Sequence, residues 1–268
     1  CATRLIRRIV EMAEPILALK NIKVNFQTLD GIVEAVKGVS LDVKAGETVA
    51  IVGESGSGKS QLMMGTMGLL ASNGSIAGVA DYRGTNLVGL PKPELNSIRG
   101  RKITMIFQEP MTSLDPLYTI GNQLIEPIMH HQKIGWKEAN TKAIDMLKLV
   151  KIPEPERRMG SYPHEMSGGQ RQAVAIARTR LSNAKMVLMD EPTAAISVRQ
   201  VAEVLELIRR LKGQGVAVML ISHRMPDVFA VSDRIIVLRR GSKVADKPTA
   251  LTSPEEITGL ITGAIRAA

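Results

Sequence analysis

Cysteine is almost absent from this 268-residue chain, in which Cys1 is the single cysteine. One thiol cannot form an internal disulfide, and it excludes a zinc or iron site built only from cysteines. Aromatic residues make up 3% of the sequence, which argues against a surface that stacks the bases of single-stranded nucleic acid. No stretch approaches the roughly 18 uncharged apolar residues of a membrane-spanning helix. These absences favour a globular protein from a reducing compartment.

Positive charge is in excess, because 35 Lys and Arg residues face 26 Asp and Glu residues and give a net charge of +9. Such an excess favours an anionic partner, whether a nucleotide, a nucleic acid or an anionic membrane face. An evenly solvated surface explains it equally well, since the basic residues are spread along the chain. Charge alone therefore does not choose a function.

Short β-rich runs alternate with helical runs, which predicts βαβ units around a largely parallel sheet. Near the start, residues 16–26 and 35–43 alternate apolar and polar side chains, as half-buried antiparallel strands do. Residues 47–53 predict a buried strand that runs into a glycine-rich turn, and a helix from about Gly58 to Leu70 follows.

The rest of the chain continues the alternation. Prolines between residues 111 and 165 predict a helical subdomain inserted in the sheet, with short helices such as Lys137–Val150. Ser253 followed by Glu256 is typical of a capping box at the start of a last helix. The further predictions are strands at 101–108, 185–190 and 216–222, a hairpin over 234–246 that turns near Gly241, a helix at about 168–181, and a helix with an apolar face of Val198, Val201, Leu205, Ile208 and Leu211.

Residues 53–60 match the phosphate-loop pattern of Gly, four residues, then Gly-Lys-Ser. Glycines let backbone N–H groups converge on phosphate oxygens, and the following helix offers its positive end to the anion. We expect Lys59 to reach the β- and γ-phosphates and the Ser60 hydroxyl to bind Mg²⁺. The alternative is a flexible Gly/Ser loop, which the flanking strand and helix disfavour. The candidate phosphate-binding residues are Gly53, Glu54, Ser55, Gly56, Ser57, Gly58, Lys59 and Ser60.

Asp190 and Glu191 follow the apolar run 186–189. Ligands of open α/β sheets bind off the carboxyl ends of the strands, so both carboxylates are expected at the site. Asp190 is a candidate for the Mg²⁺ shell, and Glu191 is a candidate to orient or deprotonate an attacking water. An isolated Asp-Glu pair is more often a solvated turn, but the upstream phosphate loop favours the functional interpretation.

Three further polar positions are candidates on the same grounds. Gln108 ends the strand at 101–108 and has a carbonyl suited to Mg²⁺ or to the attacking water. His223 follows the strand at 216–222, where a neutral imidazole can hydrogen-bond the γ-phosphate. Residues 167–170 read Ser-Gly-Gly-Gln before a helix, which suits an anion. Taken singly, each has a structural alternative: a surface Gln, a satisfied His and an ordinary helix start.

In this order, the motifs closely resemble the ATPase subunits of ABC transporters over residues 16 to 250. The correspondence comprises the phosphate loop, the Q-loop Gln108, the signature Met166, Ser167, Gly168, Gly169 and Gln170, the Walker B pair Asp190 and Glu191, and the switch His223. The resemblance implies an α/β P-loop NTPase fold of the ABC type, with an antiparallel β subdomain, a helical subdomain at about 111–165 and a C-terminal helix in 251–268. It also implies ATP hydrolysis with ATP and Mg²⁺ bound.

The resemblance further implies an assembly at the cytoplasmic face of the membrane. In the family, two ATPase subunits, identical or different, pair head to tail, and the signature of one caps the γ-phosphate on the phosphate loop of the other. Transmembrane permease subunits are the other direct partners, a solute-binding protein is an indirect one, and no nucleic acid is expected. The family stacks adenine on an aromatic residue near the first strand, and Phe26 is the candidate here.

Two parts of the chain resemble different subfamilies. Residues 53–70 and 105–128 are similar to dipeptide and oligopeptide importers, whereas 167–248 is similar to sugar importers. The segment after Gln108 is the one that meets the membrane subunits in the family, so we expect uptake of di- or oligopeptides. The alternatives are sugar import and a soluble ABC-type ATPase of DNA repair or translation.

The D-loop departs from the family pattern. It reads Ala-Ala-Ile-Ser over 194–197, where the family usually ends in Leu-Asp. Ser197 cannot supply the fixed negative charge, so a regulatory subunit that binds ATP but turns over slowly is a further alternative.

Overall fold

Strands and helices alternate along the chain, as the sequence predicts. The computed structural model describes residues 14–107, 114–180, 184–194 and 196–265. The strands are β1 (Pro15–Thr28), β2 (Gly31–Lys44), β3 (Thr48–Val52), β4 (Gly74–Tyr82), β5 (Thr85–Asn86), β6 (Ile103–Ile106), β7 (Met186–Asp190), β8 (Ala217–Ile221), β9 (Arg234–Arg239) and β10 (Ser242–Pro248). The helices are α1 (Lys59–Thr66), α2 (Lys92–Ile98), α3 (Ile120–Gln132), α4 (Trp136–Leu149), α5 (Pro155–Arg158), α6 (Gly168–Arg180), α7 (Val198–Gly213), α8 (Met225–Val231) and α9 (Pro254–Thr262).

The chain divides into two compact units. The first runs to Leu95 and resumes at Ile208, and the second spans Asn96–Leu207. The boundaries fall inside α2 and α7. No helix in the described ranges combines the length and the apolar character that a bilayer crossing requires.

An antiparallel sheet forms the outer part of the first unit, in the order β2-β1-β4-β5. β1 and β2 form a long hairpin, in which Ile22 faces Val39 and Val24 faces Val36. These four side chains are buried, as alternating patterns predict for a sheet with one face on the core. The predicted antiparallel strands at 16–26 and 35–43 are therefore confirmed, with longer ends than the pattern indicated.

The parallel part of the first unit is built on β3. This strand pairs in parallel with β8 on one side and with β9 on the other, and β10 pairs antiparallel with β9. Every residue of β3 and of β8 is buried, which explains their continuous apolar sequences. Helices α8 and α9 contribute Val228, Ile257 and Leu260 to the core beneath β3 and β9.

The second unit joins a short parallel pair to a helical cluster. β6 pairs with β7 from Ile103–Met186 to Ile106–Met189. A separate apolar core brings together residues of α3, α4 and α6, among them Leu124, Leu147 and Val174. This confirms the predicted insertion of helices. One detail was wrong: Pro127 was expected to separate helical pieces, but it lies inside α3, where the packing of the helical core outweighs the lost backbone hydrogen bond.

Local sequence patterns misplaced several other features. α1 ends at Thr66 rather than near Leu70, because Gly68 adopts a left-handed conformation (φ +62°). Val198 is 84% exposed, so it does not belong to the apolar face of α7. The strand β4 was not predicted at all, since only two of its nine residues are fully buried and its sequence carries two glycines.

Candidate nucleotide-binding site

The phosphate loop connects β3 to α1 in the first unit. Gly56 and Gly58 both have positive φ angles, +75° and +96°, a conformation that side-chain-bearing residues rarely adopt. Gly58 is the residue that caps the N-terminus of α1. A Cβ atom on Gly58 would lie 2.3 Å from the carbonyl oxygen of Ala35. The pattern of glycines in the sequence is thus explained both by backbone conformation and by a close approach of another strand.

Lys59 lies folded inside this loop. Its side chain is buried, with 9% of the residue exposed, and Nζ donates hydrogen bonds of 2.8 Å to the carbonyl oxygens of Gly53 and Glu54. These bonds draw the start of the loop around the ammonium group. A phosphate oxygen carries a negative charge that a carbonyl oxygen lacks, so it is attracted more strongly to the same ammonium.

Ser57 offers a polar atom to the inside of the loop. Its Oγ is buried and has no hydrogen-bond partner among the described residues, while its N–H donates to Glu54 O at 3.2 Å. An unsatisfied buried hydroxyl costs about 1–3 kcal/mol. A phosphate oxygen would remove this cost, so the loop contains an unused donor of the kind that a nucleotide needs.

His223 follows β8 and Ser222, and it is exposed. Because β8 runs parallel to β3 and pairs Ile221 with Ile51, both strands end at the same edge of the sheet. The first unit therefore brings His223 and the phosphate loop to one edge, as the sequence predicted.

The acidic pair lies in the second unit. Asp190 closes the buried strand β7 and is 4% exposed, while Glu191 is 8% exposed. Glu191 has a φ angle of +48°, and its carbonyl accepts a 3.0 Å bond from Ala194 N–H in a tight turn. A strained backbone at a functional carboxylate costs about 1–3 kcal/mol and has to be held by its surroundings. The alternative of a solvated turn is wrong, because both residues are buried.

The signature residues start α6 in the same unit. The Ser167 N–H donates to Gln170 Oε1 at 3.0 Å, and the Gln170 N–H donates to Ser167 Oγ at 3.3 Å. This is a reciprocal capping box, which leaves the N-terminus of the helix well defined for an anion. The sequence predicted only the capping serine, although the Ser-x-x-Gln spacing carries the full signal.

Arg171 holds the turn before Ser167 in place, a role that we did not predict from the sequence. Its guanidinium donates to Met166 O at 2.6 Å and to Pro163 O at 3.2 Å. These bonds tie the turn before Ser167 to the first turn of α6. A basic residue one position after the signature is the only local hint, and it does not reveal which carbonyls the side chain reaches.

Two candidates, Gln108 and Phe26, are not among the site residues described above. Gln108 lies outside the described residues, as does Ala195 of the D-loop. Phe26 pairs with Gly74 across β1 and β4, and a Cβ on Gly74 would lie 2.8 Å from Phe26 Cε1. The ring therefore covers Gly74 on the sheet, which is a structural role, and its contact with adenine stays a prediction.

The donor set suits magnesium rather than a softer metal. Within the described ranges, no cluster of three or more His, Cys, Asp or Glu side chains could hold an ion on its own. Mg²⁺ usually keeps waters and binds through one or two protein oxygens together with substrate phosphates. The Ser60 hydroxyl and the Asp190 carboxylate are such oxygen donors, so their chemistry fits this ion.

Comparison with known proteins identifies the family. The family model for ABC transporters matches residues 36–194. The oligopeptide transport ATP-binding protein OppD of Haemophilus influenzae is 45% identical over 228 residues, which cover 85% of this chain and 71% of that protein. The dipeptide transport ATP-binding protein DppD of Bacillus subtilis is 42% identical over 233 residues, 85% of this chain and 69% of that protein.

Solved structures agree with this assignment. A dimeric ATP-binding cassette in a post-hydrolysis state, bound to ADP and phosphate, has a TM-score of 0.79 and 29% identity, and the match covers 87% of this chain and 98% of the other. The ADP conformation of another ABC transporter cassette has a TM-score of 0.71 and 26% identity, and covers 93% of this chain and 96% of the other. The predicted P-loop fold of the ABC type is confirmed. The chain belongs to the ABC transporter family, as one of its ATP-hydrolysing cassettes.

Proposed function

We propose that the chain is the ATP-hydrolysing subunit of an ABC importer of di- or oligopeptides. The observation that carries the proposal is the phosphate loop, in which Lys59 Nζ donates to two backbone carbonyls and the Ser57 hydroxyl is buried without a hydrogen-bond partner among the described residues. The choice of solute rests on the relatives, which are 40–45% identical and are named as oligopeptide or dipeptide transport proteins.

The loop residues bind the triphosphate in this proposal. The amides of Gly53 to Ser60 surround the phosphate oxygens, and Lys59 turns from the carbonyls of Gly53 and Glu54 to the β- and γ-phosphates. Ser167 and the glycines of a second copy cap the γ-phosphate from the opposite side. The capping box on α6 supports this role, because it presents the helix N-terminus in a defined geometry.

Mg²⁺ is bound by Ser60, Gln108 and Asp190 in the proposed complex, with Asp190 acting through water. When bound, the ion neutralises charge on the β- and γ-phosphates. Glu191 orients the attacking water and accepts its proton, and His223 hydrogen-bonds the γ-phosphate. Phosphoryl transfer needs little covalent chemistry from the protein, so positioning and charge stabilisation supply most of the rate enhancement.

The proposed assembly places two ATPase subunits beside two permease subunits at the cytoplasmic face of the membrane, with a solute-binding protein on the far side. The dimeric cassette structure supports the pairing of ATPase subunits. The net charge of +9 supports a position beside an anionic leaflet.

Peptide import is favoured over sugar import. The relatives named as peptide transport proteins match 85–86% of the chain, and a match of that length has to include most of both halves. The resemblance of 167–248 to sugar importers therefore does not decide the solute.

We also propose that the ATPase domain spans residues 16–250, which is wider than the family match. The strand β1 supports the early limit, because it pairs along its length with β2 and β4. The helical subdomain is placed at about 111–165 and the C-terminal helix in 251–268. Ile257 and Leu260 of α9 pack into the core of the first unit.

Glu191→Gln tests the hydrolytic role. We expect MgATP binding to persist, phosphate release to fall at least about 100-fold, and an ATP-bound dimer to accumulate in light scattering after gel filtration. Glu203→Gln is the matched control, since Glu203 is an exposed carboxylate on α7. A Glu191→Gln variant that hydrolyses ATP at the parental rate would refute the role.

Uptake of labelled solutes tests the peptide assignment. Cells that lack this chain are complemented with the parental gene or with Lys59→Ala, and uptake of a labelled tripeptide and of a labelled disaccharide is compared. We expect only the parental gene to restore uptake, and only of the tripeptide. Restored disaccharide uptake with no effect on the tripeptide contradicts the assignment.

A further inference from the structure

The turn between β9 and β10 lies directly against the phosphate loop. It consists of Arg240 and Gly241, whose φ angles are +48° and +85°, the values of a tight two-residue hairpin turn. The Gly241 N–H donates to Ser57 O at 3.2 Å. One main-chain bond thus links the centre of the loop to a hairpin almost 200 residues later in the chain.

A second contact involves Gly58, the residue before α1, and the same turn. The carbonyl oxygen of Ala35, in β2, approaches both glycines: a Cβ on Gly58 would lie 2.3 Å away from it, and a Cβ on Gly241 would lie 2.9 Å away. The Lys37 N–H also donates to Gly241 O at 2.7 Å. β2, the β9–β10 turn and the phosphate loop therefore meet at Ala35 O, where a side chain at Gly58 or Gly241 would clash.

The start of the loop is enclosed by the same hairpin. A Cβ on Gly53 would lie 2.2 Å from Leu238 O, in β9, and 2.6 Å from Ser57 Oγ. The hairpin is itself anchored on its other side, because the Arg239 guanidinium lies against Gly263 at the end of α9, where a Cβ would be 2.1 Å from Arg239 Cζ. The turn is held between the C-terminal helix and the loop.

We propose that Gly241 is a positioning residue for the phosphate loop. It touches no nucleotide, but through Ser57 O and Ala35 O it sets where the loop amides and the Ser57 hydroxyl point. The inference rests on the proposed function, since it takes residues 53–60 as the triphosphate site. Small displacements of groups that position a substrate can lower binding or rate by one to two orders of magnitude.

The chain contains a matched control for this residue. The β4–β5 hairpin turns on Arg83 and Gly84, with φ angles of +49° and +85°, so it repeats the Arg-Gly turn of β9 and β10. A Cβ on Gly84 meets no atom within 4 Å. A substitution at Gly84 therefore carries the same backbone strain as one at Gly241, without the contact to the loop.

The test compares Gly241→Asn with Gly84→Asn. Asn tolerates a left-handed backbone better than other residues with side chains, so both proteins are expected to fold. The backbone conformation costs both variants the same small loss in Tm, and Gly241→Asn loses more because its Cβ presses against Ala35 O. We expect the Kd and KM for MgATP to rise about tenfold in Gly241→Asn, with kcat at saturation within about twofold, and to stay within about twofold of the parental values in Gly84→Asn.

Hydrogen exchange without nucleotide gives a second readout, which does not depend on the proposed function. We expect faster amide exchange over residues 53–58 in Gly241→Asn and parental exchange there in Gly84→Asn. Equal ATP affinity and equal exchange in both variants overturn the positioning role. A parental protein that binds no MgATP, with loop exchange still faster only in Gly241→Asn, overturns the proposed function and leaves the mechanical link in place.

Discussion

Main-chain atoms shape the phosphate loop at the scale of single residues. Lys59 donates to the carbonyls of Gly53 and Glu54, and the Ser57 N–H donates to Glu54 O. Side chains contribute the ammonium and the hydroxyls that we propose for nucleotide binding. The loop therefore needs glycine at Gly53 and Gly58, where the carbonyl oxygens of Leu238 and Ala35 leave no room for a side chain.

Ser197 has an identifiable structural role despite its departure from the family pattern. Its N–H donates to Gln200 Oε1 at 3.0 Å, at the start of α7. Its hydroxyl also donates to that oxygen, at 2.9 Å. The residue therefore holds the beginning of the helix, which is the position at which Ser and Asp are both favoured.

Replacing Ser197 separates this structural role from one in turnover. We expect Ser197→Ala to lower the free energy of unfolding by about 1 kcal/mol, because it removes the hydrogen bond from the hydroxyl to Gln200 Oε1. Urea denaturation measures the change, and an unchanged stability contradicts this structural role. An ATPase rate that rises tenfold or more in Ser197→Asp favours instead a regulatory subunit of low intrinsic activity.

Sequence motifs predicted candidate residues for the site, but they did not predict which contacts hold those residues in place. The phosphate loop and the acidic pair were recognisable because each needs particular residue types at fixed spacing. The approach of Ala35 O to Gly58 and the bonds from Arg171 to two carbonyls depend on contacts between distant or irregular segments. Such contacts leave no periodic signal in the sequence.

At the scale of elements, one arginine connects the two sheets of the first unit. Arg234, in β9, contacts Glu47 Oε1 at 3.0 Å and approaches Asp42 and Asp246 at 3.5 Å each. It also donates to the carbonyl of Asp42. Since Asp42 belongs to β2 and Asp246 to β10, the guanidinium links the antiparallel sheet to the parallel one.

The charges of this cluster depend on burial. Burial raises the pKa of the Glu47 carboxyl, although the Lys44 N–H and Arg234 favour its charged form. Burial alone would lower the pKa of the Arg234 guanidinium, but the surrounding carboxylates outweigh it and raise that pKa. At neutral pH Arg234 is therefore charged, and it offsets the negative charge of the carboxylates around it.

Arg234→Met removes the shared partner of these carboxylates. We expect it to lower the free energy of unfolding by about 3 kcal/mol at pH 7, because breaking a partly buried ion cluster leaves uncompensated charge. Arg199→Met is the control, since the Arg199 side chain is 88% exposed, and it should change stability by less than about 0.5 kcal/mol. Equal losses in the two variants contradict a linking role for Arg234.

The start of α9 gives a pH-dependent prediction. Hydrogen bonds from Lys247 Nζ and Thr252 Oγ1 lower the pKa of the Glu256 carboxyl below its ordinary value of 4.5. A carboxyl with a lowered folded-state pKa stabilises the protein above its unfolded pKa, and the contribution is lost as pH falls through the folded value. We expect Glu256→Gln to lower Tm at pH 7 and to have no effect at the lowest pH at which the protein folds.

The capping signal at this helix was only half right. The Glu256 N–H donates to Ser253 Oγ at 3.2 Å, as predicted, but the carboxylate accepts from Thr252 and Lys247 among its described partners. Long periodic or fully apolar segments, such as β3, β8 and α4, were predicted well. The C-terminal end of α1, where Gly68 turns left-handed, and the partly exposed strand β4 were not.

The whole molecule carries its positive charge over both units. Because association with anionic membranes is screened by salt, the account predicts that binding to phosphatidylserine vesicles falls between about 0.1 and 1 M NaCl, where the Debye length shrinks from about 10 to 3 Å. Co-sedimentation measures the bound fraction, and neutral phosphatidylcholine vesicles are the control. Binding that does not change with salt contradicts an electrostatic attachment.

The family was predictable from the sequence because several short motifs occur along the whole chain in one fixed order. Their combined order predicted the ABC fold and the ATPase activity. The similarity of 167–248 to sugar importers stays a prediction, since the relatives reported over most of the chain are peptide transport proteins. In the proposed assembly, permease and solute-binding partners contact the solute, so the residues of this chain carry little information about it.

Calorimetry of MgATP binding tests the central claim most directly. We expect the parental protein to bind MgATP with measurable heat and to gain about 2.7 kcal/mol of stability when the nucleotide is at 100 times its Kd, which a thermal scan records as a higher Tm. Lys59→Ala should retain its circular dichroism spectrum and lose both effects. A correctly folded parental protein that gives no heat and no thermal protection at saturating MgATP contradicts the account.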